Sequence, residues 1–274
     1  MKQQLLEAVK LHPTQRFSYL ANEGITILSF LDIIGDSDSQ LRDELAFRIF
    51  VEALYYNAFT KEELTTLTMT LITDDYLYYE VKSTNSLAVF KRSFSALWLS
   101  YLINADRGNT FLSDEQLNEV FTSVSSYLNV EKDVRGLTAD FGWANAVAHG
   151  GDMYLAVVQH PKFETRFAPT ILQSMTASLW QGEVFIDDQE QKLAKVLKLL
   201  AKIDYPEDVL IEWVEQLDDR LNHYVQYNGY TRLYFQSKTN TTHLLQALYF
   251  QLKFGKVYEK LQATASFFIS KGME

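Results

Sequence analysis

Leu87 to Tyr101 reads LAVFKRSFSALWLSY, and its spacing decides the fold. Leu87, Phe90, Phe94, Leu97, Trp98 and Tyr101 recur at intervals of three and four, which puts them on one face of a helix. The pattern repeats outward in both directions. Upstream, Leu41, Leu45, Ile49, Phe50, Ala53 and Leu54 trace a face, with Arg42, Glu44, Arg48 and Glu52 largely on others. Downstream, Leu117, Val120, Phe121, Val124 and Leu128 do the same, and so do Leu193, Val196, Leu197, Leu200 and Ile203. Thr60 with Glu63 and Ser113 with Gln116 read as capping boxes. Pro13, Pro161 and Pro206 sit where a first helical turn tolerates proline. The chain predicts roughly a dozen helices and no convincing strand. LYYEV, Leu77 to Val81, is the best strand candidate, but it is short and alone and reads better as a helix end or an inter-helix loop.

The start signals at Pro13, Thr60, Ser113, Pro161 and Pro206 lie about 45–53 residues apart, near the helix-pair period of HEAT-like repeats. The expected fold is all-α, a HEAT-like α-α superhelix of stacked antiparallel helix pairs with one concave surface. No linker or composition shift divides it, so residues 1–274 are read as a single all-helical repeat-like domain. The aromatic-rich segment from Tyr230 to Met273 is expected to supply terminal helices that pack on the stack.

Bulk properties narrow the function. A hydrophobic content of 47% with 22% charged residues is ordinary for a globular chain. A net charge of −10 with no sequence-local basic cluster argues against nucleic acid. The absence of cysteine rules out disulfides, thiolate catalysis and cysteine-ligated zinc. The N-terminus lacks the pattern of a signal peptide, and no stretch approaches the roughly 20 apolar residues of a membrane span. A cytoplasmic protein is expected, with no cofactor and no membrane partner.

The most chemically crowded stretch is EKDVRGLTADFGWANAVAHGGD, Glu131 to Asp152. Gly136 and Gly142 bracket a loop that holds Asp140, a candidate N-cap. From Trp143 onward, helical spacing would set Ala144, Ala148 and Gly151 on a bare side that lets another backbone approach. Asn145, His149 and Asp152 would form one polar row. Within that row His149 is the natural acid/base, since its pKa lies nearest neutrality, and Asp152 is placed to set its tautomer. The plainer reading is a buried histidine satisfied by Asp152. A metal site is not supported, because one His and one Asp are too few ligands and HExxH is absent. Arg42, Asp43 and Glu44 read as a solvated helix face, and Asp187 with Asp188 as carboxylates capping the following helix. P-loop, GxSxG and dinucleotide fingerprints are missing.

The run DVRGLTADFGWANAVAHGGD resembles the signature of an uncharacterised bacterial family, domain-of-unknown-function family twenty-seven eighty-five. There the region reads D-x-R-G, a short loop, then G-W-A-H-A-x-A-H-G-A-D. The positions that match are Asp133, Arg135, Gly136, Gly142, Trp143, Ala144, His149, Gly150 and Asp152, and LRDELAF, FKRSFSAL and EQKLAKVL add weaker support. The chain departs from the pattern at Asn145, where the first histidine usually stands, which would impair a site needing two histidine ligands. The resemblance implies a helical, HEAT-like, bacterial cytoplasmic protein and no particular activity.

Two function classes follow. One is a helical-repeat binding module whose concave surface around residues 131–152 takes a protein or peptide. The other is an enzyme or small-ligand binder of hydrolase-like acid/base chemistry. In it His149 and Asp152 are catalytic, Arg135 holds an anionic group, Trp143 is a wall and Asn145 lines the site. Convergence of these residues on one open pocket separates the two.

Overall fold

A computed structural model describes residues 1–271. Met273, the end of the predicted terminal segment, lies outside the described residues. The chain is all-α apart from one two-stranded ribbon. In order it forms α1 (Lys2–Ala8), α2 (Pro13–Asn22), a 3-10 turn (Ile27–Asp32) and a π-helical segment (Gln40–Phe47) that runs straight into α3 (Arg48–Tyr55). Then come α4 (Lys61–Leu71), α5 (Ala88–Gly108), α6 (Asp114–Ser125) and α7 (Tyr127–Val130). The ribbon β1 (Leu137–Thr138) and β2 (Gly142–Trp143) leads into α8 (Ala146–Gln159). The rest is α9 (Ala168–Ser178), α10 (Gln189–Lys202), α11 (Glu207–Asn228), α12 (Arg232–Gly255) and α13 (Glu259–Lys271).

The capping boxes form as the sequence dictates. Thr60 Oγ1 accepts from the Glu63 amide, and the Glu63 carboxylate accepts from the Thr60 amide at 2.8 Å. Ser113 and Gln116 do the same at the start of α6. Pro13 opens α2 and Pro206 is the N-cap of α11. Pro161 does not start a helix. It lies in the turn after α8, and the next helix begins at Ala168 with Pro169 in its first turn. The LYYEV segment is turn, as the loop alternative required.

Helices α5, α8, α10 and α12 pack side by side as a front row. Behind them α4, α6 with α7, α9 and α11 form a back row, α9 and α11 being joined where Trp213 Nε1 donates to Thr176 Oγ1 at 2.9 Å. Helix α13 closes the far end against α11 and α12. At the near end α3 covers α5, with the rings of Phe50 and Trp98 stacked 3.9 Å apart. A continuous apolar cluster runs through these layers from Leu5 to Leu261. Helix α5 is the most enclosed element. Of its predicted face Phe90, Phe94, Leu97 and Trp98 are buried while Leu87 and Tyr101 at its ends are exposed, and Arg92, Ser93 and Ser95 on other faces are buried too.

One expectation about a face fails, and another is met only in part. Arg42 does not sit on a solvated face but is buried, with its guanidinium over the rings of Phe90 and Phe94 at 4.3 and 4.6 Å. Arg42 stands three residues before Leu45 and seven before Ile49, so helical spacing itself sets it on the buried face, and only its charge argued for solvent. The terminal helices do pack on the stack, α12 against α10 and α13 against α11 and α12, but several of their aromatics face outward. Leu244, Leu248 and Leu252 fill the interior, while Phe235, Phe250 and Phe254 are 55%, 52% and 77% exposed.

The N-terminal segment reaches α5 because Gly35 has no side chain. A Cβ there would lie 2.4 Å from Lys91 Cβ and 2.7 Å from its Cα, on the backbone of α5 itself. Gly35→Ala is therefore expected to destabilise the chain by about 2–3 kcal/mol, lowering the melting point by roughly 5–10 °C. Gly108→Ala, at the end of α5 with nothing near its Cβ, is the control that does not lower the melting point.

Candidate functional site

The crowded stretch is a strap held from both sides. Glu131, wholly buried, accepts from Arg92 of α5 in a two-bonded pair, Nε to Oε2 at 2.7 Å and Nη2 to Oε1 at 2.8 Å. Tyr127 Oη adds a third bond to Oε2, and Arg92 Nη1 donates to the Tyr79 carbonyl at 2.9 Å. One buried ion pair thus joins α5, α7 and the turn after α4. From Arg135 the chain runs into the ribbon, where Leu137 pairs with Trp143 and Thr138 with Gly142. Asp140 lies in the turn of this ribbon and caps no helix. The N-cap of α8 is Asn145, and its side chain makes no capping bond.

Asn145 is left-handed at φ 53°. Asparagine is among the residues that tolerate this region best. The Asn145 Oδ1 is sealed from solvent with no bonding partner.

His149 is buried, its ring edge-on to Phe94. Ser93 Oγ donates to the Ala144 carbonyl, so the Nδ1 proton of His149 is free to go to Ser93 Oγ at 2.7 Å. The nitrogen left as acceptor is Nε2, which has no partner inside the protein. Burial drives the His149 pKa down to about 3, with the charges of Lys192 and Arg42 acting in the same direction against a hydrogen bond to the Ser93 backbone. The ring is therefore neutral at physiological pH.

Asp152 does not orient His149. It pairs with Lys192 of α10, Oδ1 to Nζ at 2.6 Å. Arg135 spends its guanidinium on Asp133, Nε to Oδ1 at 2.8 Å, and on the Ser86 carbonyl at 2.7 Å. Trp143 sits on β2 and is 39% exposed. Arg135, His149 and Asp152 are therefore each held by a different neighbour, Trp143 is exposed, Asn145 Oδ1 is unpartnered, and the five form no single network. The paired glycines have a packing role. A Cβ at Gly150 would meet Leu128 of α7 at 2.9 Å, and one at Gly151 would meet Lys192 Cβ at 2.8 Å.

Arg42, Ser93 and the Arg92–Glu131 pair went unrecognised in the sequence. Arg42 Nη2 donates to the Phe141 carbonyl at 2.9 Å and Nη1 to the Asp36 carbonyl at 2.7 Å, while Nε lies 2.6 Å from Asp43. Burial raises the Asp43 pKa, against the pull of Arg42. The signal for these residues was present in the sequence as LRDELAF and FKRSFSAL, yet nothing local told which partners they take. Asp187 and Asp188 make no side-chain cap for α10. Asp188 is its left-handed N-cap, and burial raises the Asp187 pKa. Among the described residues no group of three or more His, Asp or Glu is gathered to hold a metal ion, and no helix is long and apolar enough to cross a membrane.

Removing one partner of the buried pair, as in Glu131→Gln, is expected to cost about 3–5 kcal/mol, read from urea unfolding. His149 carries a pH signature. Its folded pKa lies below the unfolded 6.5, so the unfolded chain takes up the proton first and His149 withdraws stability as pH falls from about 6.5 toward 3. His149→Gln is destabilised at pH 7.5, and its melting-point deficit should shrink steadily between pH 6.5 and 4. A deficit that stays constant over that window would show that His149 is not held neutral.

Comparison with curated proteins and with solved structures finds no match. The family model described as "Protein of unknown function (DUF2785)" matches residues 77–250, from the turn before α5 to the exposed Phe250 of α12. That span is more than half of the chain and includes the whole strap and the front row up to Phe250, and the chain belongs to this family.

Proposed function

We propose that the chain is a binding module, a HEAT-like α-α superhelix that acts in the cytoplasm as a single domain and takes a protein or peptide on its front face. The observation that carries this reading is the exposed stripe on α12. Phe235, His243, Phe250 and Phe254 fall on one side of that helix, opposite Leu244 and Leu248, which are buried. Large apolar side chains left in water at regular helical spacing mark an interaction surface. The rings of Phe250 and Phe254 are stacked with centroids 6.2 Å apart, a preformed ridge with little freedom left to lose on binding.

The surface differs from the one expected around residues 131–152. The strap supports the front row, since its polar groups are spent on neighbours, and the ridge lies two helices away. The alternative, acid/base or ligand chemistry at His149, Asp152 and Arg135, has in its favour only the unpartnered Nε2 of a nearly inaccessible ring.

A photo-crosslinking phenylalanine analogue placed at position 250 is expected to trap a discrete protein partner in cells. The same analogue at Glu212 on the back row should not. Phe254→Ala should abolish the adduct at unchanged melting point. No adduct from position 250, together with a metabolite-induced melting shift that vanishes in His149→Gln, would sink the proposal in favour of the ligand site.

A further inference from the structure

The acidic composition hides a segregation of charge between the two rows. On the back, α11 carries Glu207, Asp208, Glu212, Glu215, Asp218 and Asp219 against the single cation Arg220, and α6 carries Asp114, Glu115 and Glu119 with no cation. On the front, α10 carries Lys192, Lys195, Lys198 and Lys202 against Glu190, and α12, which has no acid at all, carries Arg232 and Lys253, while its Lys238 turns away toward Asp218 and Lys271. A chain of net charge −10 therefore presents a basic front.

The faces can be placed from their contacts. Lys192 pairs with Asp152 of α8, and Lys198 Nζ donates to Gln251 Oε1 of α12 at 3.0 Å, so these two lysines mark the edges of α10 toward its neighbours. Lys195 and Lys202 lie between those edges, on the side away from Val196, Leu197 and Leu200, which are buried toward the back row. Across the α10–α12 boundary, Phe250 and Phe254 project on the same side, since Gln251 and Gly255 face α10 while Leu244 and Leu248 face inward. Arg232 lies on this side at the start of α12. Among the described residues, Lys195, Lys202 and Arg232 have no carboxylate within ion-pair distance, and Asp152, the acid on the exposed side of α8, is already paired.

We propose that this face takes an acidic segment of a partner protein that also carries apolar anchors, laid across α10 and α12 with its carboxylates on Lys195, Lys202 and Arg232 and its anchors on the ridge of Phe250 and Phe254. The inference rests on the binding-module reading and adds the chemistry of the partner. Charge complementarity selects the sign. Like charges opposed across an interface are strongly disfavoured, and opposite potentials steer encounter. The exposed rings select an apolar component that carboxylates alone would leave uncovered.

The test is fluorescence polarisation of the purified full chain with three labelled synthetic peptides of equal length and an oligothymidylate of equal charge. One peptide combines Glu/Asp with Leu/Phe, the second replaces its acids by Lys, and the third replaces its apolar residues by Ser. The acidic, apolar peptide should bind at least tenfold tighter than either twin and than the oligonucleotide, and should weaken as salt rises. The double change Lys195→Glu with Lys202→Glu should weaken it tenfold or more, as should Phe250→Ala with Phe254→Ala, while Glu212→Lys on the back row should not. If the lysine-bearing peptide binds as well and is lost in the phenylalanine variant, the front face is a binding surface but its partner is not acidic. If the oligonucleotide binds as tightly and is lost with the same lysines, the face is a general polyanion site and the assignment to protein falls. If no probe binds and position 250 gives no crosslink, the binding-module reading fails as well.

Discussion

The pair between Arg92 and Glu131 is the constraint on which the strap depends. Both groups are buried, so each would carry a severe desolvation cost alone, and each is offset by the other through two parallel bonds. The arrangement is over-determined. Glu131 also accepts from Tyr127 and from the Asp133 amide, and Arg92 also reaches the Tyr79 carbonyl. Ser93 is the next residue on α5, so fixing Arg92 places its hydroxyl between Ala144 and His149. The entry angle of α8, and with it the seat of α10 on Gly151, is set from that point.

The run that looks most like an active site therefore works mainly as a joint. Its arginine, its histidine and one of its aspartates each hold a different neighbour, and its glycines allow two helices to come closer than side chains permit. A motif rich in ionisable groups and glycine reads equally well as chemistry or as close packing. What distinguishes the two is whether polar atoms converge on open space, and here they diverge into the protein.

How much of this was legible in the sequence depended on the range of the interaction. The helices of the core and the two capping boxes rest on residues three or four apart, so Leu117 to Leu128 and Thr60 with Glu63 could be read directly. The beginning of α8 was misplaced because Asp140 satisfies the local rule for a cap, whereas the true cap Asn145 is set by the ribbon before it. Arg42 was misread on its charge, although its spacing to Leu45 and Ile49 sets it on the buried face. The partners of His149 and Asp152, Ser93 and Lys192, stand tens of residues away, and nothing in a single sequence couples such positions. The terminal helices pack as their spacing suggested, but composition does not tell which aromatics turn outward, and Phe235, Phe250 and Phe254 lie on the face opposite Leu244 and Leu248.

The segregation of charge also makes the molecule an electric dipole directed from its back row to its front. Net charge then predicts solution behaviour poorly, because two copies repel at long range yet attract when the front of one meets the back of another. Such attraction is strongest in dilute salt and fades as the Debye length contracts below the width of a helix. For a protein built this way, added salt raises colloidal solubility over the range where an ordinary acidic protein would lose the mutual repulsion that keeps it dispersed.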